Sequence, residues 1–345
     1  MPDVEFVNLL GVLVVAVVAP ILLGLAPRLL VPAVVLEIVL GVVLGPSALG
    51  WLEPDLAVQV VGLLGLAMLL FLAGLEIDLA ALRGSLLRAA LVGYVVSIAL
   101  GWLAGLALDS AGWVDDPVLL AVTVSATSLG LVVAVLKDGG AVNGRLGQTV
   151  IAASSVADFA AVLLLSLAFS TSGGGTGERL VLLGSFVVLV VVVAVVTGFS
   201  SRSMRLGDVI LRLQDSTAEI RVRASMLLLL AFVVLAEKFG LESILGAFVA
   251  GALVGLLDRD STSHPQLRTK LEAVGYGFLI PVFFISSGLR LDVSGLFASA
   301  DALARVPVFL LVLLAARGLP ALLYLQTFGG RRTLAAALLQ ATSLP

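Results

Sequence analysis

The sequence has no cysteine and few charged residues. Lys, Arg, Asp and Glu make up 12% of its 345 residues, whereas hydrophobic residues make up 60%. The lack of cysteine excludes disulfides, thiol catalysis and cysteine-ligated metal sites. The lack of charge excludes a soluble domain, because about a quarter of the residues in such a domain are charged. With a net charge of −3 and no long basic run, the chain gives no indication of nucleic-acid binding.

Long apolar runs take the place of the missing charge. Runs of about 20 residues, the length that crosses a bilayer, recur along the whole chain. Lipid offers no hydrogen-bond partners, so each run must pair its backbone internally as a helix, and the runs lack the alternation of barrel strands. The predicted spans are residues 9–26, 32–49, 57–76, 88–108, 118–136, 147–169, 180–199, 225–239, 242–257, 271–289, 302–326 and 334 onward. We expect an all-α polytopic protein of the lipid bilayer, truncated within its twelfth helix, with a C-terminal part missing.

Lysine and arginine are distributed unevenly between the predicted loops. Of 20 such residues, about fifteen fall on one side of the membrane and about four on the other, and Arg317 lies inside a span. Positively charged loops stay in the cytoplasm, so the N-terminus is predicted to face outside. The start MPDVEFVNLL is acidic and lacks the basic segment of a secretory signal, so the first span is predicted to be retained.

Three short segments recur later in the chain in the same order. Residues 36–45 (LEIVLGVVLG) resemble 241–251 (LESILGAFVAG), residues 71–79 (FLAGLEIDL) resemble 284–293 (FISSGLRLDV), and ATSL stands at 126–129 and 341–344. The partners lie seven spans apart, and an odd separation makes the two copies cross the membrane in opposite directions. We therefore predict one transmembrane domain, 1–345, with inverted repeats over about 9–169 and 225–345 and a linker helix at about 180–199.

The two ATSL segments place hydroxyl groups inside apolar spans. Hydroxyl side chains compete for backbone carbonyls, so Thr127–Ser128 in the fifth span and Thr342 and Ser343 in the twelfth are predicted to be unwound. Inverted copies would bring the two breaks together near the midplane, where half-helix ends carry partial charges and freed carbonyls can hold a cation. The alternative is that these hydroxyls bond back to the preceding turn of intact helices.

Two ionisable residues lie deep inside spans. Asp158 is near the middle of the sixth and Arg317 is well inside the eleventh. Each costs about 2.5–3.5 kcal/mol to insert at the centre of a span, so each is either a functional residue or part of a structural buried pair. The other acidic residues, Glu37 among them, are mostly near span ends and are interpreted as solvated or interfacial, with the lining of a vestibule as the alternative for Glu37 and Glu76.

Asp158 suits a site that a proton and a cation share. Desolvation favours the protonated form of a carboxyl group, and the ionised form binds a small hard cation through oxygen, so the two ligands exclude each other. Ser154 lies four residues earlier and shares the same helix face. Together with Thr127–Ser128, these oxygens predict a site for sodium or potassium, and no cofactor and no other metal are expected.

The chain resembles the bacterial monovalent cation:proton antiporters, in the branch of the sodium/proton exchanger superfamily that includes the potassium efflux systems. The similar segments, in family order, are EIVLGVVLGPSALG, LLFLAGLEIDL, TSLGLVVAVLKDGG, GRLGQTVIAASSVADFAAV, ILGAFVAGALVG, PVFFISSGLRLD and LLQATSLP. The resemblance implies an inner (plasma) membrane homodimer with crossed discontinuous helices that alternates access. It implies that Asp158 binds cation and proton, that Ser154 and Thr127–Ser128 supply oxygens, and that Arg317 is a structural or gating charge. A C-terminal regulatory domain is a further expected partner.

The sequence departs from this family just before the essential aspartate. Electrogenic members commonly have Asp-Asp there and electroneutral members Asn-Asp, whereas this chain has Ala157-Asp158. A single titratable group predicts electroneutral exchange of one proton for one monovalent cation. Ala157 also cannot pair with Arg317, whose partner the sequence leaves unassigned.

Other functions stay open at this level. A potassium efflux pathway gated by a missing cytoplasmic domain, or a degenerate sensory membrane protein, would share the fold. A sodium-coupled solute symporter would share it too, although the carboxylate in ASSVAD argues against one. An intramembrane aspartyl protease needs two facing aspartates, and only Asp158 lies deep in a span, so no enzymatic activity is expected.

Overall fold

The computed structural model of the protein describes residues 5–25, 31–76, 84–127, 132, 136, 140–141, 144–169, 181, 184–185, 188, 219–258, 266–297, 299–324 and 329–341. Every regular element within these residues is helical. The α-helices are α1 (Val7–Leu25), α2 (Ala33–Leu44), α3 (Leu56–Glu76), α4 (Gly84–Ser110), α5 (Pro117–Ser125), α6 (Arg145–Phe169), α7 (Ile220–Lys238), α8 (Ser243–Asp258), α9 (Gln266–Val274), α10 (Ile280–Leu289), α11 (Val293–Phe297), α12 (Ala300–Gly318) and α13 (Gly330–Gln340). A π-helical turn, Gly275–Leu279, joins α9 to α10, and a 3₁₀ segment, Leu319–Tyr324, follows α12.

The hydropathy of these helices fits a bilayer. Among the described residues, six helical stretches are long and apolar enough to cross a membrane, and two shorter helices, α2 and most of α8, are also apolar. The six are Val7–Leu25, Leu56–Leu75, Leu87–Ser110, Arg145–Leu165, Gln266–Leu289 and Ala300–Leu323. The prediction of a polytopic, all-α membrane protein is therefore confirmed, while the linker helix predicted at 180–199 lies almost entirely outside the described residues.

Some predicted boundaries are wrong for local reasons. The second span ends at Leu44 rather than at residue 49, because the next residue, Gly45, is extended (ψ 175°) and precedes a proline, which disfavours helical geometry. The tenth span contains the π-helical turn just before Pro281, which lacks the N–H that a regular ladder needs. Interpreting Glu37 as solvated is also wrong, since it is buried on α2 one turn before Gly41, a backbone contact with α10.

Contacts divide the chain into two compact units. The first unit comprises Met1–Glu76, Phe186–Glu237 and Gly246–Ala302, and the second comprises Ile77–Ser185, Lys238–Leu245 and Leu303–Pro345. In the first unit α10 packs against α1, α2 and α3. Its helices touch through glycine: Gly288 of α10 meets the backbone of α2, and Gly251 of α8 meets that of α3.

The second unit contains Asp158 and Arg317, the two ionisable residues that the sequence places deep inside spans. α4 packs against α5 and α6, α5 packs against α6, and α13 packs against α6 and the 3₁₀ segment. Helix α6 is therefore in contact with each of the two helices that carry an ATSL segment at or beyond their ends. This arrangement positions the candidate site.

Candidate functional site

The fifth predicted span is interrupted where the sequence predicts it. Helix α5 begins at Pro117, capped by Asp116, whose carboxylate accepts hydrogen bonds from the amides of the second and third helical residues at 2.8 and 3.0 Å. It ends at Ser125, because Ala126 is extended (φ −67°, ψ 154°), and Thr127 is not helical either. The described residues 132 and 136 are helical again. Ser128 lies outside the described residues.

Helix α13 ends just before the second ATSL segment. It starts after Gly329, whose left-handed φ of 76° favours glycine, and its last helical residue is Gln340. The next residue, Ala341, is no longer helical, and Thr342 and Ser343 lie outside the described residues. Gln340 and Ser125 therefore occupy equivalent places, each immediately before a copy of ATSL.

The two helix ends meet through a side chain. The hydroxyl of Thr127 donates a hydrogen bond to the main-chain oxygen of Gln340 at 3.0 Å, and both residues are buried. The Nε of Arg317 donates to the same oxygen at 3.2 Å. We call this arrangement of Thr127, Gln340 and Arg317 the junction. The junction thus joins the break after α5 to the described end of α13, and the predicted break of the twelfth span lies outside the described residues.

Arg317 acquires partners that the sequence left unassigned. Its side chain is 2% exposed, and besides the Gln340 oxygen it contacts Ser97 of α4, with Nη1 3.4 Å from the Ser97 hydroxyl oxygen. The last carbonyl of a helix lies at the negative end of the helix dipole, where a cation is stabilising. Arg317 therefore neutralises the end of α13, which explains a buried guanidinium inside an apolar span.

Four buried residues form one face of α6, and this face is turned towards both helix ends. Val150, Ser154, Asp158 and Ala161 follow helical spacing, and each is at most 5% exposed. Val150 packs in one cluster with Ala336 of α13, and Ala161 packs in another with Ala126, just beyond α5. Ser154 and Asp158 lie between these contacts, so their oxygens are placed at the level of the junction.

The hydroxyls around this face fall into two groups. The Thr123 and Ser155 hydroxyls each donate to a carbonyl of the preceding turn, at 2.8 and 2.9 Å, as the alternative interpretation expected. Thr127 instead bonds across to α13, and the buried Ser154 hydroxyl has no hydrogen-bond partner among the described residues. Of the three hydroxyls chosen from the sequence as site oxygens, the two within the described residues, Thr127 and Ser154, are thus not used by their own helix.

Ala157 lies beside an aromatic ring. It packs in a cluster with Ala153 and with Tyr94 of α4, whose hydroxyl is hydrogen-bonded to that of Ser125 at 3.2 Å. The small side chains of α6 leave room for this ring. Tyr94, Ser97 and Gln340 were not predicted from the sequence. Gln340 has one sequence signal, since it directly precedes the second ATSL segment.

The chain matches the family model described as "Sodium/hydrogen exchanger, transmembrane" over residues 13–344. It is 33% identical to the protein YjbQ of Bacillus subtilis (strain 168), across 98% of this chain and 56% of that protein. The chain thus spans a little over half the length of this relative. It is also 32% identical to a protein of Enterococcus hirae named as an Na⁺/H⁺ antiporter, across 84% of this chain and 74% of the relative.

A solved structure has the same fold. The sodium proton antiporter MjNhaP1 from Methanocaldococcus jannaschii superposes with a TM-score of 0.66, covering 97% of this chain and 84% of that one, at 16% identity. The antiporter fold predicted from the sequence is thereby confirmed.

Proposed function

The chain belongs to the sodium/hydrogen exchanger family, and we propose that it exchanges protons for a monovalent cation, Na⁺ or K⁺, across the membrane by alternating access. The observation that carries this proposal is the position of Asp158, which is 5% exposed and lies between the contacts of α6 with α13 and with Ala126, just beyond α5. Intramembrane carboxyl groups in such a place mark ion pathways and proton relays.

Asp158 serves the two ligands in turn. When protonated it is neutral and costs little in a low-dielectric interior, and when ionised it attracts a cation that exchanges water for protein oxygens. The same carboxylate does not hold both ligands, so binding of one requires release of the other. This competition couples the two ion movements without any further device.

Ser154 and Thr127 supply the neutral oxygens of the proposed site. The Thr127 hydroxyl donates a hydrogen bond to the main-chain oxygen of Gln340. The lone pairs of the Thr127 oxygen are directed away from that bond and are available to a cation. The Ser154 hydroxyl makes no competing bond among the described residues. Ser128 completes the proposed set, and Arg317 acts as the structural charge that holds the end of α13.

Electroneutral exchange of one proton for one cation is part of the proposal. Ala157 cannot ionise, and it shares a hydrophobic cluster with Tyr94. We further propose inverted repeats over 9–169 and 225–345, a homodimer, a multi-pass position in the inner membrane with the N-terminus outside, and a C-terminal regulatory domain. The excess of basic residues in alternate loops supports the orientation.

Proton flux in proteoliposomes tests the function. We expect an imposed Na⁺ or K⁺ gradient to drive protons in the opposite direction with wild type, and Asp158→Asn to abolish this exchange while expressing normally. Asp115→Asn, at an exposed position outside the spans, is the matched control and should retain exchange. Coupled flux that persisted in Asp158→Asn would contradict the proposal.

Currents on solid-supported membranes test the stoichiometry separately. One-for-one exchange moves no net charge, so we expect no charge-translocating component when a cation gradient is applied. A clear current that disappears in Asp158→Asn would overturn the electroneutral part of the proposal and leave the exchange itself intact.

A further inference from the structure

Gln340 carries a buried side-chain amide whose nitrogen makes no hydrogen bond within its own helix. Its side chain is 2% exposed and lies on the face of α13 that also contains Thr333 and Ala336. The amide nitrogen of Gln340 has no hydrogen-bond partner among the described residues. A buried, unbonded amide is costly, and in native proteins such groups usually meet water or an ion.

The main-chain oxygen of Gln340 is not available to bind a further ligand. Its carbonyl oxygen already accepts two hydrogen bonds, from Thr127 at 3.0 Å and from Arg317 at 3.2 Å. A carbonyl oxygen has two lone pairs, so this acceptor is fully used. The two bonds fix the backbone in place, and the side chain is the part of the residue left to bind something else.

The amide lies at the same level of the second unit as Ser154. Ala336 and Val150 share one hydrophobic cluster, and from there both helices run towards the junction. One further turn along each helix leads to Gln340 on α13 and to Ser154 on α6. The Ser154 hydroxyl is buried and also has no hydrogen-bond partner among the described residues. Ser154 lies one turn before Asp158 on α6, so two polar groups without a hydrogen-bond partner among the described residues, on two packed helices, indicate a shared ligand near this carboxyl.

We propose that the side-chain amide of Gln340 is a ligand of the transported cation and determines which monovalent cation is preferred. This inference rests on the proposed function and adds a residue to its site. The terminal torsion of a glutamine is broad, and an amide not held by hydrogen bonds turns its oxygen towards a dehydrated cation. A neutral oxygen adds affinity without adding a titratable group, which keeps the site compatible with one proton per cation.

The test is the cation dependence of exchange in proteoliposomes, measured separately with Na⁺, K⁺ and Li⁺. Gln340→Leu should raise the apparent KM for the preferred cation about tenfold and change the ratio of KM values between cations, with the maximal rate within about twofold of wild type. Gln340→Asn, which keeps the amide but withdraws it by one methylene, should shift both quantities in the same direction by a smaller factor.

Thr333→Val is the matched control. Thr333 is buried on the same face of α13 two turns away, and its hydroxyl bonds back to Gly329 at 2.9 Å, so this variant should lower the melting temperature and leave the KM ratio unchanged. Unchanged KM values in both Gln340 variants, in protein that exchanges ions and needs Asp158, would overturn this inference alone. Absence of exchange in wild type, or exchange that survives Asp158→Asn, would instead reject the proposed function.

Discussion

Two hydroxyls of the first unit and two of the second differ in how they are hydrogen-bonded, while Thr123 and Ser155 of the second unit bond back to their own helix as those of the first do. In the first unit, Ser286 and Ser287 of α10 both donate to the carbonyl of Phe283, each at 2.9 Å, so both hydroxyls are satisfied within their own helix. In the second unit, Thr127 bonds across to another helix and Ser154 bonds to nothing among the described residues. The difference separates hydroxyls that are bonded within their own helix from the two that we propose as oxygens of the ion site.

Glycines bring several helices of the first unit into close contact. Gly41, Gly251 and Gly288 each lie so close to a neighbouring helix that a Cβ would overlap a backbone carbonyl. At these positions the helices are in backbone contact, as α4 also is with α5 of the second unit at Gly101 and Gly105. In the second unit the residue after the break beyond α5 meets the end of α13 at the junction, so we expect the glycine substitutions in the first unit to affect folding and substitutions of the proposed oxygens, Thr127 and Ser154, to affect ion binding.

The largest expected effect is loss of folding in the first unit. In Gly251→Ala the new methyl group would overlap the carbonyl oxygen of Phe71, which belongs to the backbone and cannot move aside, and we expect a loss of about 3 kcal/mol. Gly24→Ala is the control, because a Cβ there meets open space. Thermal melting in detergent measures both, and equal melting temperatures would remove the basis of the comparison.

A smaller effect is expected at the junction itself. Arg317→Leu removes a charged donor from the Gln340 carbonyl and from Ser97, which should lower stability by about 2 kcal/mol, the usual contribution of a hydrogen bond to a charged group. Arg331→Leu, at an exposed position on α13, should change the melting temperature little. If both variants melted like wild type, Arg317 would not stabilise the end of α13.

The sharpest contrast comes from two adjacent serines. Ser154→Ala should weaken the apparent cation affinity roughly fivefold, about 1 kcal/mol, with no loss of thermal stability, because it removes a proposed ligand that makes no hydrogen bond among the described residues. Ser155→Ala should lower the thermal stability and leave the apparent cation affinity unchanged, since the Ser155 hydroxyl bonds back to Ile151 and contributes only to the helix. The comparison would fail if the two variants had the same KM.

Much of the fold could be predicted because it follows from hydropathy. The apolar runs locate α1, α3, α4, α6 and α8 to within a few residues, since lipid forces each run to be a helix. The break after Ser125 could also be predicted, because hydroxyls and glycine loosen a helix wherever they occur. The early end of α2 needed the extended geometry of Gly45 before proline, which hydropathy does not register.

The partners within the site could not be predicted in the same way. Arg317 binds a main-chain oxygen 23 residues away, and a backbone carbonyl has no sequence signature. Gln340 was not predicted because it is not itself part of the repeated ATSL segment, and its importance depends on a contact with Thr127 that only the packing reveals. Ala157 indicated a departure from the family, but that Tyr94 packs beside it required the structure.

Proton release on cation binding tests the central claim most directly. Purified protein in a weakly buffered detergent solution is titrated with Na⁺ or K⁺, and the released protons are counted against the bound cation. If Asp158 exchanges one ligand for the other, about one proton should leave per cation bound at a pH where the group is protonated, and Asp158→Asn should release none. Cation binding without proton release in wild type, or equal release in Asp158→Asn, would contradict the account.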